Sequence, residues 1–277
     1  MQIITQSLIK ELFEYTAKKD ACGIQVEAKY VHGIEFPSSD AMQLGQWFEW
    51  SCTGQRTKFG HIPAAKRNKP SKLTKKELDE GMKQEDVLGE LSKKYEDALI
   101  HVDAFKKMLE YYDLEIVDTG VKLEDKELGI KGDVDLVVRK RGEEKVMFID
   151  MKYSGLLDNK WDDLGWADES LEYKDKIMIQ AVHYKILGKA KYGYEPDFNF
   201  WVFSSTNTTD RKNIKVIVDE SRFAEHEIII KKARAEFERN AAIGWQARPN
   251  PKRCGECPLK SKCSHYVELP QEQIVYY

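Results

Sequence analysis

Asp135 and Asp150 stand against two apolar runs, Leu136-Val137-Val138 and Val146-Met147-Phe148-Ile149, and Lys152 follows two places on. Such runs read as buried strands, where a bare carboxylate is costly unless it is paired or holds a metal. Residues opposed in an antiparallel hairpin have numbers of constant sum. A turn around Arg141-Gly142-Glu143 sets Val137 opposite Phe148 and Asp135 opposite Asp150, with Cα atoms roughly 4.5–5.5 Å apart. A four-residue turn over 141–144 fits that register. Side chains alternate along a strand, so Lys152 shares the face of Asp150 while Met151 points away. Two carboxylates and an ammonium therefore converge at one end of a sheet. Their mutual repulsion favours a divalent cation between the carboxylates, an oxygen donor set suited to hard cations. A surface carboxylate pair with a salt bridge is the plainer alternative, and the apolar flanks weigh against it.

The cysteines are a second group with chemistry in them. Cys254, Cys257 and Cys263 form C-x2-C-x5-C, and Cys22 and Cys52 lie far upstream. The first twenty residues are amphipathic and lack the apolar core of a secretion signal, so metal ligation is expected rather than disulfides. Zinc and an iron–sulfur cluster both accept four thiolates. Three in the tail then need a fourth from Cys22 or Cys52; unliganded reduced thiols are the bland alternative.

The elements that must position these groups follow from periodicity and punctuation. A helix is expected over 5–20, an extended segment over 23–36, and a helix over 39–54, entered at Ser39 or Asp40 and closed by Gly54. Thr74-Lys75-Lys76-Glu77 matches a capping box. Leu88, Leu91, Tyr95, Leu99, Val102, Phe105, Leu109 and Tyr112 then form a stripe that reads as core packing. Two or three strands follow between 115 and 152. A helix is expected over 175–188 with Asp175 as cap and Gly188 as stop, then strands over 198–205 and 214–219. A last helix over 221–243 carries Ile229, Ala233, Phe237 and Ala241 and ends at Gly244. The order implies one α/β domain over 1–277, with a basic loop and helical insertion over 60–113 and a cysteine tail over 245–277.

Composition sets the outer limits. The 277 residues are 42% hydrophobic and 33% charged, as in a globular protein with a real core. No run of about 18 apolar residues exists, so no membrane helix is expected and the cytoplasm is the default location. Net charge is −3, which gives no global basic field. Local clusters remain: Lys66, Arg67, Lys69, Lys72, Lys75 and Lys76 in one stretch, and Lys252, Arg253, Lys260 and Lys262 among the tail cysteines. Either could be a solvated loop or could track a phosphate backbone.

Gly132-x-x-Asp135, Asp150-x-Lys152 and Gln180-x-x-x-Tyr184 together resemble the PD-(D/E)XK nuclease core in its RecB-like branch. Gly45-Gln-Trp-Phe-Glu49 is similar to that branch's first motif, G-x-x-x-H/E. The resemblance implies a restriction-endonuclease-like core, a mixed central sheet flanked by helices. It also implies Asp135 and Asp150 as ligands of Mg²⁺ or Mn²⁺, and Lys152 as the residue that orients and helps deprotonate the attacking water. Glu49 would complete the metal shell or position its water, and it departs from the histidine many relatives place there. Gln180 and Tyr184, four apart on one helix face, would contact DNA or support the lysine. Asp133, on the same strand face as Asp135, is a rival ligand that the Gly-x-x-Asp spacing disfavours.

The tail is similar to that of the iron–sulfur subgroup, which includes AddB and CRISPR-associated exonucleases. That likeness implies a [4Fe-4S] cluster held by Cys254, Cys257, Cys263 and a cysteine before the first motif. Cys22 fits that place better than Cys52, although Cys22-Gly-Ile-Gln lacks the proline relatives show there. Structural zinc is the alternative. The implied activity is exonucleolytic cleavage of single-stranded DNA or DNA ends in a bacterial, archaeal or phage-infected cell. With no Walker motif, unwinding falls to a helicase, recombination or CRISPR adaptation partner. The runner-up is a non-catalytic DNA-binding or scaffold protein. Trp161 and Trp166 could stack on bases, with core packing the better reading of each.

Overall fold

Three strands carry the densest apolar runs: β3 (Ile130–Lys140), β4 (Val146–Ser154) and β5 (Asp197–Ser204). They lie side by side in the computed structural model, which describes residues 3–18, 21–56, 60–69, 72, 83 and 89–266. The chain divides into two units, one made of 38–123 and 133–218, the other of 1–37, 124–132 and 219–277.

In the first of these, β3 and β4 pair antiparallel, β4 and β5 pair parallel, and β5 pairs antiparallel with β6 (Arg211–Val216). Strand β2 (Leu114–Asp125) pairs with β3. The sheet is thus mixed. The β3–β4 register places Val137 against Phe148 and Leu136 against Ile149, as the constant-sum reading expects. The chain reverses through Gly142, at φ +81, with the Glu143 amide donating to the Lys140 carbonyl at 3.0 Å.

Strand alternation then sorts the side chains onto two faces. Leu136, Val138, Ile149, Met151, Trp201 and Phe203 pack with Phe48, Tyr95 and Phe105. The last three belong to helices α3 (Asp40–Thr53) and α4 (Lys93–Tyr111). The Ser39 hydroxyl caps α3 by accepting from the Met42 amide, and Gly54, at φ +73, ends it. Helix α4 buries Tyr95, Ala98, Val102, Phe105 and Met108, while Leu99 faces solvent. Leu88 and the capping box at Thr74 lie outside the described residues.

The other sheet face meets helix α5 (Asp175–Tyr192), where the Tyr184 ring stacks on Phe198 at 6.0 Å between centroids. This helix runs past its expected stop. Gly188 lies inside it, and a Cβ there would come within 2.6 Å of the Pro196 ring and 2.7 Å of Phe148. The glycine serves close packing. Gly193, at φ +77, ends the helix, and Lys174 rather than Asp175 precedes it as the cap. Strand β6 ends at Val216, earlier than expected.

The second unit holds β1 (Ile4–Thr5), α1 (Gln6–Ala17), α2 (Gly23–Tyr30), the first residues of β3, α6 (Glu220–Ile243) and α7 (Pro251–Glu256). β1 runs parallel to the start of β3, with Ile4 opposite Ile130. The expected extended segment at 23–36 is a helix over its first eight residues. Tertiary contacts account for this. The Gly23 amide donates to the Gln246 carbonyl at 3.0 Å, so close that a Cβ at Gly23 would meet that oxygen at 2.9 Å. Lys29 and Tyr30 both reach Glu11 on α1. On α6 the buried positions are His226, Ile230, Ala233, Phe237 and Asn240, so the stripe is rotated from the expected one. Asn240 accepts from the Tyr15 hydroxyl at 3.3 Å.

Candidate functional site

Asp150 is 1% exposed, in the middle of β4. It shares the α5 face with Phe148 and Lys152 because both are two residues away. Its two oxygens are engaged from different directions: Gln180 Nε2 donates to Oδ1, and Lys152 Nζ forms an ion pair with Oδ2. Gln180 lies in the second turn of α5, so the helix–sheet packing that seats Tyr184 on Phe198 also sets Gln180 over Asp150. Asp135 Oδ2 accepts from the Met151 amide at 2.9 Å, which draws that carboxylate toward the Asp150 segment. The Tyr184 hydroxyl donates to the Asp133 carbonyl at 2.8 Å and ties α5 to β3. The Asp133 side chain is exposed.

Electrostatics link Glu49, near the end of α3, to the same group. Burial pushes its carboxyl up to about 7; Lys152 opposes this and Asp150 adds to it. Burial, then the Asp150 and Glu49 carboxylates, hold the Asp135 carboxyl well above the usual range. For Lys152 burial works downward, but Asp150 and then Asp135 outweigh it and raise the ammonium's pKa. Tyr184 is raised well above its usual value by burial and then by Asp150 and Asp135, so it remains a phenol that donates. Three carboxylates face one ammonium at a largely buried place.

That donor set fits a hard divalent cation, because a bound cation would offset both the burial and the neighbouring carboxylates that raise Asp135 and Glu49. Among the described residues, no three His, Cys, Asp or Glu side chains are drawn into a geometry that holds an ion as placed.

The cysteines are placed in the other unit, apart from Cys52. Cys22, Cys254, Cys257 and Cys263 line one cavity. Cys257 Sγ accepts from Gln25 Nε2 at 3.2 Å, and Cys254 Sγ from the Asn250 amide at 3.3 Å. Four cysteines at one cavity are the donor type that zinc or an iron–sulfur cluster takes. Cys52 sits on α3 against the apolar cluster around Phe48, and burial, then Glu49, pushes its thiol pKa upward. Gln25 and His265, which lines the same cavity, carry no signal as a motif. Each does lie within a helical turn of a cysteine, Gln25 three after Cys22 and His265 two after Cys263. In the basic stretch, Lys66 pairs with Asp40 and Arg67 donates to the Gly89 carbonyl at 2.9 Å. Lys75 and Lys76 lie outside the described residues.

A family model described as the PD-(D/E)XK nuclease superfamily matches residues 20–264. Among solved structures, a proposed exonuclease from Eubacterium rectale overlays with a TM-score of 0.56 at 16% identity. The overlay covers 99% of this chain and 91% of that one, and shows a shared fold. A second structure, SSO0001, gives a TM-score of 0.31 at 16% identity over 61% of this chain and 69% of that one. No curated protein matches the chain in sequence.

Proposed function

The chain belongs to the PD-(D/E)XK nuclease superfamily, and from that premise we propose that it is a metal-dependent deoxyribonuclease. Its substrate is single-stranded DNA or DNA ends, and an iron–sulfur cluster stabilises it. The observation that carries this reading is Asp150, buried and held by both Lys152 and Gln180, with Asp135 and Glu49 within its field. Asp135 and Asp150 would hold Mg²⁺ or Mn²⁺, with Glu49 completing the shell or positioning water. The cation supplies neutralisation of the phosphate's developing charge and a more acidic water.

The chain's own groups do the rest. In this carboxylate field Lys152 stays an ammonium, which makes it a donor that orients water or a phosphate oxygen. Taking up the water's proton requires that field to be neutralised first. Gln180 fixes the Asp150 carboxylate, and Tyr184 fixes the strand that bears Asp135. Cys22, Cys254, Cys257 and Cys263 would hold the cluster; zinc in the same four thiolates is the competing occupant.

The test is degradation of labelled single-stranded DNA in Mg²⁺ or Mn²⁺ by the wild type, Asp150→Ala and Lys152→Ala. Each substitution is expected to cost on the order of 10²–10³ in rate or more. Cleavage unchanged in both variants overturns the site assignment. A wild type that cuts no end structure returns the protein to the scaffold reading.

A further inference from the structure

Between the catalytic strand and helix lies a loop whose most exposed aromatic the nuclease site does not use. It leaves β4 after Ser154 and enters α5 at Asp175, so it joins the element that bears Asp150 and Lys152 to the one that bears Gln180 and Tyr184. Trp161 in this loop is 86% exposed and Leu164 54%, whereas Trp166 is 4% exposed, its ring 5.0 Å from Phe200. One tryptophan anchors the loop and the other is held out of the core.

The holding is built. The Lys174 side chain, only 8% exposed, sends its Nζ to three loop carbonyls: Asp162 at 2.6 Å, Gly165 at 2.9 Å and Asn159 at 3.2 Å. Asn159 Oδ1 accepts from the Trp161 and Asp162 amides, both at 2.9 Å. A Cβ at Gly165 would meet the Asn159 carbonyl at 1.9 Å, so the wrapped loop requires glycine there. A loop fixed this firmly presents Trp161 with its ordering entropy already spent.

The chemistry beside the ring selects the ligand. Lys160 Nζ stands 5.2 Å from the Trp161 ring centroid, which sets a cation beside an aromatic face. A nucleotide offers the complement, a flat base and a phosphate. Four of the loop's acids have partners of their own. Asp158 and Asp168 pair with Lys212 at 3.3 and 3.0 Å, and Asp162 Oδ1 accepts from the Leu164 amide at 2.8 Å. Glu169 lies 3.6 Å from Lys160.

We propose that Trp161, with Lys160 beside it, is a stacking platform for an unpaired nucleobase of the DNA strand engaged at the Asp150 site. This rests on the nuclease reading for its substrate class. Stacking is tolerant of base identity, so the platform serves an enzyme that takes strands without sequence preference.

The test measures binding by fluorescence anisotropy in EDTA, where nothing is cut, on the full chain. The probes are oligothymidylate and an abasic strand of equal length. Trp161→Ala is expected to weaken oligothymidylate binding about tenfold, with Trp161→Phe restoring most of it and abasic binding unchanged. Lys174→Met, which frees the loop but keeps the indole, should fall between Trp161→Ala and wild type. In Mg²⁺ the Trp161→Ala loss should enter KM and leave kcat within about twofold, as expected for a binding contact away from the reacting atoms. Equal affinity of wild type and Trp161→Ala for oligothymidylate overturns the platform, and cleavage that persists in the variant leaves the nuclease reading standing. An equal loss on the abasic strand also overturns it. A base-dependent loss in a protein that cuts nothing sustains the platform and removes the nuclease reading.

Discussion

Asp150 is the residue on which the proposed chemistry turns, and its surroundings show how a buried carboxylate is kept. Gln180 donates to one oxygen and Lys152 forms an ion pair with the other, yet Asp135 and Glu49 add negative charge that one ammonium does not balance. A site of this kind is unfavourable by itself and favourable with a cation, which is the usual compromise between stability and function. Gln180→Met leaves Asp150 Oδ1 without its donor. It should cost about 1–3 kcal/mol in EDTA, measured by urea unfolding. The same substitution should raise the Mg²⁺ or Mn²⁺ concentration for half-maximal cleavage by roughly 10–100-fold, since Gln180 orients a proposed ligand.

At the scale of elements, α5 sets the site against the sheet, and its two glycines make opposite demands. Helix propensity alone favours Gly188→Ala by about 1 kcal/mol. The added Cβ would meet Pro196 and Phe148 at 2.6–2.7 Å, and overpacking costs about 1–3 kcal/mol. We expect a net loss of stability in thermal unfolding, with cleavage reduced because α5 carries Gln180. Gly193→Ala, at φ +77, should cost about 1–2 kcal/mol through backbone strain alone and leave cleavage intact. On α4, His101 packs edge-on against Tyr153 and Phe203, and its Nε2 lies 3.2 Å from the Asn207 carbonyl. Burial lowers its pKa, so the unfolded chain takes up a proton before the folded one does. The stability it contributes is full above about pH 6.5 and is lost as pH falls through the lowered value. His101→Gln, which cannot titrate, should flatten that acid-side decline in urea unfolding measured across the interval.

At the scale of the whole molecule, the two units rest on different physics. One has a mixed sheet covered by helices on both faces and is stabilised by apolar burial. Among the described side chains of the tail of the other, over 245–266, Trp245 and Leu259 are the buried apolar ones, and its helix α7 is six residues long. The proposed metal centre would supply what burial does not, since its binding energy becomes folding energy. Anaerobically purified protein should be brown and contain iron, and Cys257→Ala should lose both colour and solubility. A colourless protein with one equivalent of zinc would refute the iron version and keep the tetrathiolate.

Local sequence determined the hairpin that brings Asp135 and Asp150 together, because strand alternation and a constant-sum register are properties of adjacent residues. It also determined α3 with both caps, and the existence of α1, α4, α5 and α6. What it left open depends on residues distant in the chain. Gly188 reads as a stop until Pro196 and Phe148 are seen against it. The segment at 23–30 reads as extended until Gln246 and Glu11 draw it into a helix. Trp161 and Trp166 are indistinguishable by type, five residues apart, until Lys174 wraps the loop that buries one and exposes the other. Periodicity reports which residues face a core. Which neighbour meets a given side chain is decided by backbone contacts that close only when the chain folds.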